Sequence, residues 1–72
     1  MDDVHTVLAR NLRLARARVG ISQEELANRA GIDRTYVSGI ERGVRNPTVA
    51  ILARLAAELD TTASDLLAAE HG

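Results

Sequence analysis

A chain of 72 residues has room for one domain, and a domain of that size buries only about 60% of the surface its unfolded chain exposes, so self-association would help it. It has no cysteine, which excludes disulfides and thiolate metal centres, and no apolar run near the roughly 20 residues of a bilayer span. The net charge of −1 excludes a protein that coats nucleic acid by bulk electrostatics alone. The start from Met1 to Thr6 is polar and acidic, unlike a signal peptide, so a cytoplasmic location without membrane contact is expected.

Leu8, Leu12, Ala15 and Val19 recur at helical spacing and predict a first helix from about Val4 to Val19, closed by Gly20 as a left-handed cap. Arg10, Arg13, Arg16 and Arg18 on it read as a solvated face. Ser22 and Glu25 have the spacing of a capping box, so a second helix is expected from Gln23 to Ala30. Gly31 stands where a tight turn needs positive φ. Asp33 can then cap a third helix, Arg34 to about Arg42, stopped by Gly43. Pro47 suits the first turn of a helix capped by Asn46 or opening at Thr48, with Val49, Leu52, Ala53, Ala56 and Leu59 as its apolar face. Thr62 and Asp65 repeat the capping-box pattern before a short fifth helix carrying Leu66 and Leu67, fraying by Glu70 to Gly72. The expected class is therefore all-α: one domain over residues 1–72, with five helices and no strand.

Within this plan the third helix carries the chemistry. Val37 and Ile40 must face the core, with Val44 one turn further on the same side. At about 100° per residue, Arg34, Thr35, Ser38 and Arg42 then fall on the opposite face with Tyr36 on its flank. Such a helix fits the major groove of duplex DNA, and residues near its N-terminus reach base edges first. Arginine can donate two parallel hydrogen bonds to guanine, and threonine offers a hydroxyl and a methyl. Arg34, Thr35, Tyr36 and Ser38 are the candidate base contacts. Gln23, at the start of the second helix, and Arg42, Arg45 and Asn46 are the candidate phosphate contacts. Gly39 costs about 1 kcal/mol relative to alanine in a helix, which suggests close approach of another backbone, from the second helix or from DNA.

The charge is polarised in the same sense. From Met1 to Asn46 there are eight arginines against six acids, and from Pro47 to Gly72 only Arg54 against four. One end can face phosphate while the other, over about residues 48–70, supplies a dimer interface, for which Leu59, Leu66 and Leu67 are the candidates. His5 and His71 lie far apart without partner ligands, so no metal is expected. Nothing indicates a cofactor, a small-molecule effector or a catalytic nucleophile, so an enzyme is not expected.

The stretch ISQEELANRAGIDRTYVSGIERGVRNPT resembles the phage-repressor and Cro type of helix-turn-helix family, also called XRE, over nearly the whole chain. The resemblance implies a five-helix DNA-binding domain with the motif over about 22–42. It implies phosphate contact by Gln23, a groove-facing set Arg34, Thr35, Tyr36 and Ser38, backbone approach by Arg45 and Asn46, and an internal ion pair between Arg16 and Glu41. The run from Asp33 to Arg42 is similar to the controller proteins of restriction-modification systems, which bind DNA as dimers. The expectation is thus a homodimeric transcriptional regulator on a two-fold operator, a repressor or autoregulatory controller, with RNA polymerase as a further candidate partner. An antitoxin-type regulator is a close variant. A helical adaptor that binds protein instead of DNA is the alternative from another class.

Overall fold

The computed structural model describes residues 3–69, in which five helices follow one another: α1 (Val4–Val19), α2 (Gln23–Ala30), α3 (Arg34–Glu41), α4 (Val49–Glu58) and α5 (Ala63–Leu67). No strand occurs among the described residues. The fraying expected at Glu70 to Gly72, and His71 itself, lie outside them. Every helix starts at a short polar residue in extended conformation, Asp3, Ser22, Asp33, Thr48 or Thr62, whose side chain accepts a backbone N–H two or three residues on. Thr48 caps α4, so that helix opens at Val49 and leaves Pro47 just outside.

The two capping boxes are half formed. The Glu25 N–H donates to Ser22 Oγ at 3.0 Å, but the Glu25 carboxylate pairs with Arg29 Nε at 2.8 Å, one turn along the same helix. Likewise the Asp65 N–H donates to Thr62 Oγ1 at 3.0 Å, while its carboxylate takes the Thr61 hydroxyl at 3.5 Å. The chain turns a corner at Gly31, where φ is +71° and the Ile32 N–H returns to the Ala27 carbonyl at 2.9 Å. This left-handed step, which a side chain would strain, turns α2 into α3.

The core consists of Leu12, Leu26, Val37, Ile40, Leu55, Leu59 and Leu66, all fully buried, with alanines between them. α3 packs against α1 and α2, α4 against α2, and α5 against α1 and α4. Asn11 is the one buried amide. Its Nδ2 donates to the carbonyls of Leu66 and Ala68, both at 2.9 Å, and so terminates α5.

Several expected core positions are outside. Val44 is 69% exposed, because α3 ends at Glu41 and Gly43, at φ +75°, turns the chain away before another helical turn is complete. Val49 is 83% exposed at the first position of α4, and Ala53 is exposed too; the buried stripe runs through Leu52, Leu55, Ala56 and Leu59. Val19, in the last turn of α1, is also exposed. Leu59 and Leu66, expected at a dimer interface, are internal: they fill the space enclosed by α4, α5 and α1, so neither can touch a second copy. Leu67 remains 41% exposed.

Candidate nucleic-acid interface

With Val37 and Ile40 sealed beneath it, α3 turns Arg34, Thr35 and Arg42 fully outward and leaves Ser38 and Tyr36 half buried at its sides. At its start, Asp33 Oδ1 accepts the Thr35 backbone N–H at 2.9 Å and the Thr35 hydroxyl at 2.8 Å. These two bonds, the backbone one first, hold the Asp33 carboxyl below its ordinary range. The Thr35 proton is therefore committed to Asp33. Its oxygen can accept from the amino groups of adenine or cytosine, and its methyl can meet that of thymine.

The far end of α3 is locked to α1. Glu41 is buried, and Arg16 grips its carboxylate with both edges of the guanidinium, Nε to Oε2 at 2.7 Å and Nη2 to Oε1 at 2.9 Å. The ion pair implied by the resemblance is present. Gln23 adds an Nε2 donation to Glu41 Oε1 at 3.0 Å, Arg13 donates to the Glu41 carbonyl, and Arg16 Nη1 reaches the Ile21 carbonyl at 3.0 Å. Burial alone pushes the Glu41 carboxyl up, but the hydrogen bonds from Arg16 and Gln23 and the nearby positive charges outweigh it and bring it below its ordinary value. Arg16 is raised in turn, chiefly by its hydrogen bond to Glu41. Gln23 is thus half buried, with one amide N–H spent on α3.

The segment after α3 folds back on it. The carbonyl of Gly39 accepts the N–H groups of Val44 and Arg45 at 3.0 and 3.2 Å. The Arg45 guanidinium lies over the Tyr36 ring, 4.4 Å from its centre, and the Tyr36 hydroxyl donates to the Asn46 carbonyl at 3.4 Å. The close approach at Gly39 therefore comes from the chain's own loop rather than from α2. Arg34, Thr35, Tyr36, Ser38, Arg45 and Asn46 are gathered around α3, whereas Gln23 is reached only through Glu41. The Gln23–Glu41 link was hidden in the sequence because two residues eighteen positions apart carry no local signal. Asn11 was legible as the polar residue between Leu8 and Leu12 on an otherwise apolar stripe.

Next to this loop lies a shallow groove of about 240 Å³ lined by Val4, Leu8, Pro47, Val49, Leu52 and Leu67. Three of its apolar side chains, Val4, Val49 and Leu67, are exposed. Among the described residues no helix is long and apolar enough to cross a membrane.

Two helices joined by a glycine turn, the second sealed on one side and polar on the other within a five-helix domain, define the helix-turn-helix class of DNA-binding regulators. The chain belongs to the helix-turn-helix (HTH_3, XRE-type) family of transcription regulators, which matches residues 12–66. It is 48% identical over 65 residues to a hypothetical transcription factor of Neisseria meningitidis, covering 90% of this chain and 61% of that protein, so it spans less than two thirds of that relative's length. Its fold is similar to the restriction-modification controller protein C.AhdI of Aeromonas hydrophila, with a TM-score of 0.82 and 40% identity over 86% of this chain and 94% of that one. It is also similar to the N-terminal DNA-binding domain of SinR from Bacillus subtilis, with a TM-score of 0.84 and 33% identity over 94% of this chain and 99% of the other.

Proposed function

We propose that this chain is a sequence-specific regulator that binds a two-fold operator in double-stranded DNA as a homodimer, each copy placing α3 in one of two successive major grooves. The observation that carries the reading is the outward face of α3, where Arg34 and Thr35 stand exposed above a sealed core. Arg34, Thr35, Tyr36 and Ser38 read bases. Gln23, Arg42, Arg45 and Asn46 hold phosphates, with the N-terminus of α2 contributing its positive end. A single head of this size buries little surface, whereas two heads about 34 Å apart add their contacts on one face of the duplex.

The second copy covers the groove bounded by Val4, Val49 and Leu67. With Leu59 and Leu66 internal, these are exposed apolar residues at the starts of α1 and α4 and the end of α5, and Asn46 and Pro47 in the groove's lining place it next to the DNA-facing loop. Both dimerisation and operator occupancy then follow protein concentration by mass action, which suits a repressor or an autoregulatory controller like the restriction-modification relatives. An antitoxin role would use the same surface, and contact with RNA polymerase would add activation.

A titration of duplex binding across salt tests this. Parent protein is expected to give a steep negative log–log slope on an operator selected from a random pool. Arg34→Ala should lose preference at one base position, and Gln23→Ala should weaken operator and random duplex alike. A slope near zero, or no binding at low salt, would refute DNA binding and favour the protein-binding adaptor that the net charge of −1 otherwise fits.

A further inference from the structure

The position of Gly39 on α3 is informative because it is on the outward side. Four residues after Thr35 and three after Tyr36, it falls between them on the helix surface, about 40° from Thr35, one turn further along the face assigned to DNA. Yet Gly39 is buried. What buries it is Arg45: a β-carbon built on Gly39 would lie 3.0 Å from Arg45 Cβ, 3.5 Å from its Cδ and 3.7 Å from its Cγ. The Arg45 N–H is tied to the Gly39 carbonyl, and its guanidinium lies on the Tyr36 ring, which is itself anchored to the Asn46 carbonyl.

We infer that Gly39 and Tyr36 form a seat that mounts Arg45 on the recognition helix, so that Arg45 serves as the reading side chain position 39 lacks and helps determine base specificity. A backbone contact through a loop arginine would need no such seat. Here the aliphatic stem is packed on the bare helix backbone, and the planar guanidinium is stacked, so the cation enters the groove pre-oriented beside Thr35. Pre-orientation lowers the conformational freedom lost on binding, which is where a long side chain otherwise forfeits affinity. In this scheme Gly39 and Tyr36 are positioning residues, so Tyr36 leaves the base-reading set and Arg45 joins it from the phosphate set. The inference rests on α3 being the DNA-reading face.

Two substitutions test the seat in graded steps. Gly39→Ala forces the Arg45 stem outward by a few tenths of an ångström, and Gly39→Gln occupies its place; both residues favour helix more than glycine, so thermal melts should show a folded protein. Tyr36 is the only Phe, Tyr or Trp in the chain, so ring-current shifts of the Arg45 side-chain protons report the stack directly in the absence of DNA, with Tyr36→Leu as the reference for its loss. Gly39→Gln should abolish those shifts, weaken operator binding about tenfold, flatten the preference at one base pair, and change random-duplex binding less than about threefold. Gly39→Ala should do the same in smaller measure. Arg45→Ala should cost the parent as much, and should cost nothing further in the Gly39→Gln background. Shifts that persist in Gly39→Gln overturn the seat. Lost shifts with unchanged operator preference, or additive losses in the double variant, overturn the reading role. Failure of the parent itself to bind any duplex would instead sink the DNA reading on which the role depends.

Discussion

Replacing Arg16 with methionine keeps the unbranched apolar stem of the side chain while removing the cation that holds Glu41. The Glu41 side chain is 3% exposed, and the substitution deletes the 2.7 and 2.9 Å bonds and leaves only the Gln23 amide. Breaking a buried pair from one side generally costs about 3–5 kcal/mol. Here the penalty of the stranded carboxylate has a ceiling, because it can take up a proton. Neutralising a group of ordinary value 4.5 at pH 7 costs about 3 kcal/mol, at 1.36 kcal/mol per unit. The expected loss is therefore about 3 kcal/mol, at the low end of that range, and a large share of the roughly 4–11 kcal/mol that a chain of this length can hold. At about 4–8 °C per kcal/mol, the melting temperature should fall by roughly 10–20 °C. Thermal melts followed by far-ultraviolet circular dichroism, at one fixed protomer concentration, measure this. Adding Glu41→Leu to Arg16→Met should restore at least half of the loss, since no unpaired buried charge remains. A single variant melting within about 3 °C of the parent, or a double variant no better than the single, would refute the view that this pair locks α3 to α1.

The same pair predicts a pH signature. In the parent the Glu41 carboxyl is held below its ordinary value, so its stabilisation is complete above about pH 4.5 and is lost as the pH falls through the folded-state value. In Arg16→Met burial dominates and raises that carboxyl, so acidification from pH 7 towards 5 should narrow the gap between variant and parent; urea midpoints at several pH values check it, and a constant gap would contradict it. Asn11→Leu removes the amide that serves the Leu66 and Ala68 carbonyls and should cost about 1–3 kcal/mol by urea denaturation, with α5 amides losing exchange protection first. Val49→Glu changes a side chain 83% exposed, so it should leave the melting of dilute protein nearly unchanged while weakening self-association in sedimentation; an unaltered dimer would place the interface elsewhere.

The local grammar of this chain is written in its residues. Ser22, Asp33 and Thr62 announce helix starts, Gly20, Gly31 and Gly43 their ends, and the apolar spacing of Leu12, Leu26, Val37 and Ile40 the core, because capping and periodicity act over a few residues. With them came the outward face of Arg34 and Thr35, since fixing one side of a helix fixes the other. Whatever long-range contacts govern was set by the packing of the helices. It put Leu59 and Leu66 inside and Val44 and Val49 outside, since burial depends on which helix arrives to cover a stripe, and the pattern of one helix does not encode that. It likewise tied Gln23 and Arg16 to Glu41, and brought Arg45 onto Gly39 and Tyr36. A cap is satisfied by its own neighbours, whereas a buried charge or a bare patch of helix is satisfied by whatever the folded chain brings to it.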